Sequence, residues 1–147
     1  MEPSKESIAV LTRLREMLGR QREKFGRYLM LLEQEQISIE TKDAQRLLAQ
    51  VEMERGLIDE IYALQKVIGP LEDLYASAYP RGEQTVPALR AVLDAMAAEI
   101  RERNQRNRTL LARRVEELRQ EIAALHGWPR SRSPFVQPTP GFIDVRT

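Results

Sequence analysis

The chain has no cysteine and one histidine. Absence of cysteine excludes disulfides and thiol chemistry, and it fits a reducing compartment. Together the two shortages remove the commonest metal ligands. No carboxylate-dense loop with glycine stands in for them, so no metal site is expected. There is no glycine-rich phosphate cradle either, and no cofactor is expected. Aromatic residues make up only 5% of the chain, too few for a broad globular core. Neither sign of charge dominates: Lys+Arg number 23 against Asp+Glu 22, a net charge of +1. That balance gives no global field toward nucleic acid or an anionic membrane. No apolar run approaches the roughly 20 residues that span a bilayer, so membrane insertion is not expected. The opening Met1-Glu2-Pro3-Ser4-Lys5-Glu6 lacks a basic start followed by an apolar block. No secretory signal is therefore read there, and the expected location is the cytoplasm.

What is abundant is the vocabulary of long helices. Charged residues are 31% of the 147, rich in Glu, Arg, Lys, Leu, Ala and Gln. This composition fits one all-α domain of coiled-coil type. The pattern breaks after His126-Gly127. Pro129, Pro134, Pro138 and Pro140 follow, with Trp128, Phe135, Phe142, Ile143 and Val145 among them. Proline lacks the amide donor and clashes with the preceding turn, so this stretch cannot extend a helix. Residues 1–127 are read as a helical domain and 128–147 as a flexible, irregular tail.

Three helices are expected, over about 4–38, 44–68 and 86–126. Ser4 can cap the first. Its seam is Leu11, Leu14, Leu18, Phe25, Tyr28, Leu32 and Ile39, at sums of three and four, with Gln21 and Glu35 weakening it. Asp43 is a good cap for the second. There Leu47, Val51, Glu54, Ile58, Ile61 and Val67/Ile68 trace one face, widened by Leu48, Leu57 and Leu64. Gly69-Pro70 is read as its end or a kink, with a short helical piece around Leu71, Leu74 and Tyr75. Tyr79-Pro80-Arg81-Gly82 is a turn. Thr85 is the expected cap of the third helix and Pro87 fits its first turn. That helix has a proximal seam, Leu89, Leu93, Met96 and Ile100, and a distal one, Leu111, Val115, Leu118, Ile122 and Leu125. Arg103, Asn104 and Asn107 interrupt it as a polar layer, a device that fixes register at some cost in stability. The architecture these elements predict is an elongated antiparallel three-helix coiled-coil bundle with a Pro-rich tail.

No catalytic constellation emerges. His126 sits where a cation favours a helix C-terminus. The pairs Glu116-Glu117 and Glu33/Glu35 read as solvated helix faces. Seven arginines between Arg101 and Arg119 spread around the helix at 100° per residue and alternate with Glu102, Glu116, Glu117 and Glu121, as a soluble charged surface does. The distal seam has two readings. It is core in the free protein, or it is an amphipathic helix end, with Trp128 beside it, that receives a partner helix.

Four features resemble the FlgN-like flagellar export chaperones. They are Leu31-Leu32-Glu33-Gln34-Glu35 with a turn at Lys42-Asp43; Leu47-Leu48 through Glu52-Met53-Glu54 to Leu57-Ile58; Asn104-Gln105-Arg106-Asn107-Arg108-Thr109-Leu110-Leu111; and the tail from Arg130-Ser131-Arg132-Ser133 to Gly141-Phe142-Ile143-Asp144-Val145-Arg146. The resemblance implies binding rather than catalysis. Such chaperones act in the bacterial cytoplasm, hold the helical C-terminal regions of hook-associated proteins, prevent premature assembly and deliver them to the type III export gate. Amphipathicity and position then nominate Leu111, Val115, Leu118, Ile122 and Leu125 as a groove. Arg114 and Arg119 would orient the partner. Trp128, Phe135 and Phe142 would touch the substrate or the gate. Two other readings stay open: a coiled-coil scaffold that self-associates into a homo-oligomer, and a nucleic-acid-associated helical protein using the arginines.

Overall fold

In the computed structural model, residues 3–126 are described, and among them every regular element is an α-helix. The order is α1 (Lys5–Glu40), α2 (Ala44–Ala78) and α3 (Thr85–His126). The proline-rich tail lies outside the described residues.

Helix α1 starts as its sequence dictates. The Ser4 hydroxyl accepts the Ser7 amide at 3.1 Å, satisfying one donor of the open first turn. Its end is also local chemistry. Lys42 adopts a left-handed φ of 59°. The Lys42 amide donates to the Ile39 carbonyl at 3.2 Å and the Asp43 amide to Ser38 at 2.9 Å. These are the two bonds of a Schellman ending, built here on lysine instead of glycine. Asp43 immediately caps α2, accepting the Arg46 amide at 3.1 Å. The chain thus reverses within three residues, and α2 runs antiparallel to α1.

Helix α2 corrects the expected break at residue 68. It continues through Pro70 to Ala78. An interior proline removes one ladder bond and costs about 3 kcal/mol. Packing on both sides of it offsets that cost. Ile61 and Ile68 are buried, and Leu64, Leu71 and Tyr75 pack against the same core. The Tyr79 hydroxyl also donates to the Ser7 carbonyl at 3.1 Å, tying the end of α2 to the start of α1.

The α2–α3 turn uses Gly82 at φ 91°, a conformation that favours glycine. The expected cap, Thr85, is instead the first residue of α3, and Glu83 does the capping. Its carboxylate accepts the Thr85 amide at 2.8 Å, the Thr85 hydroxyl at 2.6 Å and the Val86 amide at 2.9 Å. Partial burial pushes this carboxyl up. The bonds from Thr85 and Val86, with one from Tyr75, outweigh it and hold the group at about 2.

Helix α1 is the spine of the molecule. It packs against both α2 and α3, whereas no Cα of α2 comes within 8 Å of one in α3. The shared core is Leu14, Leu18, Phe25, Tyr28 and Leu32 of α1, Ile58, Ile61 and Ile68 of α2, and Val86, Leu93 and Ile100 of α3. Side chains bridge α2 and α3, as in the ion pair of Glu72 with Arg90. The register runs parallel between α1 and α3. Asn104 meets Tyr28, Asn107 meets Leu32, and Arg114 meets Glu40.

Candidate partner groove beyond a buried polar layer

The interrupted seam of α3 marks a layer of buried polar groups. Tyr28 donates to Glu54 Oε1 at 3.0 Å. Asn104 Nδ2 donates to the Tyr28 hydroxyl at 3.4 Å. Asn107 Nδ2 donates to the Leu32 carbonyl at 2.8 Å. One turn further out, the Ser38 hydroxyl donates to Gln50 Oε1 at 2.8 Å. Glu35 and Glu54, on α1 and α2, are both fully buried at 0% exposure. The reading of Glu35 as a solvated carboxylate is therefore corrected, because α1 turns it inward beside Leu32 and Ile39. Arg103 is corrected as well. It lies outside the layer and pairs with Glu99 at 2.8 Å. In its place, Arg108 contributes a cationic charge near Glu54.

Burial dominates the electrostatics of this layer. It pushes the Glu35 carboxyl up to about 8, with the charge of Glu54 adding and a hydrogen bond from Asn107 opposing. It pushes Glu54 up to about 7, against the Tyr28 hydrogen bond and Arg108. The Tyr28 phenol is raised too, by burial and then by Glu54. Carboxyls that titrate near neutrality suit acid–base chemistry, but a general acid must reach its substrate. These two are sealed between helices. The only sequence signal for the layer was polar residues at seam positions: Glu35, Glu54, Asn104 and Asn107 each fall where the heptad calls for an apolar side chain.

Beyond the layer the packing changes. Asn107 is the last buried residue of α3. The distal seam as core of the free protein is thus corrected. Helix α1 ends near the level of Arg114, whose Nη2 donates to the Glu40 carbonyl at 3.2 Å. Past Arg114, α3 runs on for twelve residues, about 18 Å, and only the α1–α2 turn and the first turn of α2, at Ala44 and Leu47, face the start of that stretch. Leu118 is 55% exposed and Leu125 82%.

Where the overhang leaves the α1–α2 turn, a cavity of about 300 Å³ opens, on the scale of the smallest ligand pockets. Ile39 and Leu47 form one wall, and Leu111, Val115 and Leu118 form the other. Lys42, Asp43, Arg114, Glu117 and Glu121 stand around it. The structure therefore brings Leu111, Arg114, Val115 and Leu118 together at one cavity. Ile122 and Leu125 lie further along the overhang. Arg119 reaches Glu116 at 3.9 Å on the helix surface. Arg114 holds Glu117 at 2.8 Å as well as the end of α1, which places a cation at the negative end of a helix. Ile39 and Leu47, the facing wall, were missed as groove residues. In sequence they are indistinguishable from core positions. Trp128, Phe135 and Phe142 lie outside the described residues.

No group of three His, Cys, Asp or Glu side chains among the described residues is placed to hold a metal. No described helix is long and apolar enough to cross a membrane.

The chain is 37% identical over 115 residues to an uncharacterized protein of Treponema pallidum (strain Nichols), a match that covers 78% of this chain and 74% of that one. This chain belongs to that protein's family. No protein-family model matches it, and no solved structure does. The Treponema relative, itself uncharacterized, carries no activity across to the groove.

Proposed function

We propose that this protein is a bacterial cytoplasmic flagellar export chaperone. It binds the helical C-terminal regions of hook-associated proteins, keeps them from assembling early and delivers them to the type III export gate. The body acts as an elongated coiled-coil bundle that presents its distal end, with the proline-rich tail at 128–147 attached there. One observation carries the reading: an amphipathic helix runs past the end of its own bundle and leaves Leu118 and Leu125 exposed beside an apolar cavity. Exposed apolar side chains on one helix face, next to a recess, fit helix-in-groove recognition. The substrates have the complementary problem, an amphipathic terminal helix that self-associates unless covered. Arg114 and Arg119 orient the incoming helix, and Ile122 extends the apolar strip. The four sequence segments similar to the FlgN-like chaperones supply the identity of the partner.

Co-expression with hook-associated subunits tests this. The full chain should copurify with at least one of them. Leu118→Asp with Ile122→Asp should abolish copurification while leaving helicity and melting temperature unchanged, since neither residue is buried. Undiminished capture by a folded double variant would sink the groove. Capture of none, with salt-resistant homo-oligomers in sedimentation, would favour the self-associating scaffold, for which the same exposed overhang is the interface.

A further inference from the structure

The groove lies close to a segment of its own chain able to fill it. We propose that the segment from Trp128 to Phe135 folds back in cis and covers the distal groove, competing with the partner. The competition rests on the reading of the groove as a partner seat; the docking itself does not.

Three observations support it. The first is where the segment begins. Residues 127–147 follow directly from the overhang, which ends at His126 beyond Leu118 and Leu125. Pro129 and Pro134 forbid further helix and favour an extended strand.

The second is reach. Leu118 to Leu111 lie about 12 to 22 Å back from His126 along α3. Phe135 lies about 25 Å along an extended chain from Gly127. Laid back along α3, Trp128 comes against Leu125 and Phe135 arrives at the cavity of Leu111, Val115 and Leu118. A segment tethered this closely acts at a millimolar effective concentration, which favours it over a second copy.

The third is charge. Between Trp128 and Phe135 the only ionised side chains are Arg130 and Arg132. Around the cavity, Arg114 and Glu117 already pair at 2.8 Å. That leaves Asp43 and Glu121 against Lys42, a net acidic rim for a basic, aromatic strand.

The absence of cysteine makes a direct test possible. In the full chain, Ala44→Cys with Ser133→Cys places one thiol at the cavity and one in the segment, sparing every apolar anchor. Ser77→Cys with Ser133→Cys, at the far end of α2, is the control. The groove pair should close an intramolecular disulfide at least tenfold faster than the control, at a rate independent of protein concentration. Leu118→Asp should erase the advantage. Trp128, the sole tryptophan, should shift its emission to the red with the same substitution. Equal closure rates overturn the docking, as do cross-links between chains that grow with concentration.

The regulatory half is read separately. With a groove nine-tenths covered, Arg130→Glu with Arg132→Glu should tighten capture of a hook-associated C-terminal helix about tenfold. Unchanged capture overturns the competition. Capture by no variant, with the disulfide advantage intact, overturns the partner reading and leaves the docking standing.

Discussion

Replacing Glu35 by glutamine should stabilise the protein, and by an amount that grows with pH. Glu35 is fully buried, with Tyr28, Glu54 and Asn107 near it, and the Asn107 amide only partly opposes the cost of that burial. Burial first, then the charge of Glu54, moves its carboxyl from the usual 4.5 to about 8. The folded state therefore holds a proton that the unfolded chain releases above pH 4.5. Because the folded state binds more protons, stability falls as pH rises. The favourable contribution is complete below 4.5 and is lost as pH climbs through about 8. At about 1.4 kcal/mol per decade, the loss is about 3 kcal/mol by pH 7 and reaches a ceiling of about 5 kcal/mol above pH 8. Glutamine is close in shape and cannot ionise. Urea unfolding of both proteins from pH 5 to 9 measures the difference. The curves should nearly coincide at pH 5 and diverge by several kcal/mol at pH 9. Parallel pH profiles with no divergence would show that Glu35 is solvated or paired when folded, and would refute the buried-layer argument.

Tyr28→Phe removes the hydroxyl that donates to Glu54 and accepts from Asn104, leaving buried groups short of a partner, and should cost about 1–3 kcal/mol in urea melts. Pro70→Ala restores the donor to the Lys66 carbonyl at an exposed site inside α2 and should raise stability by up to about 3 kcal/mol, read as a higher melting temperature. Lys42→Gly relieves the left-handed φ of 59° at the end of α1 and should stabilise by about 1 kcal/mol; a loss of stability on chemical denaturation would contradict the Schellman assignment.

Local interactions explain what was legible from residue order. Ser4 and Asp43 cap their helices through bonds spanning three residues, and the heptad spacing of Leu14, Leu18, Phe25, Tyr28 and Leu32 marked the face that is buried. Where the sequence reading failed, the deciding interaction was distant. Pro70 reads as a stop until Ile68 and Leu71 are seen packed on α1. Thr85 reads as a cap until Glu83 is seen bonded to the same amides. Glu35 reads as a surface charge until α2 and α3 close over it.

The groove depends on register more than any other feature. Amphipathicity alone settled that Leu111 to Leu125 form one apolar strip and that the chain changes character at Gly127. It could not say whether that strip lies inside the bundle or beyond it, because a seam looks the same in either place. The side-by-side alignment of α1 and α3, fixed by Asn104 on Tyr28 and Asn107 on Leu32, decides that the hairpin ends near Arg114 while α3 continues. Periodicity is a property of one helix; an overhang is a property of two helices of unequal length held in one register by contacts more than seventy residues apart.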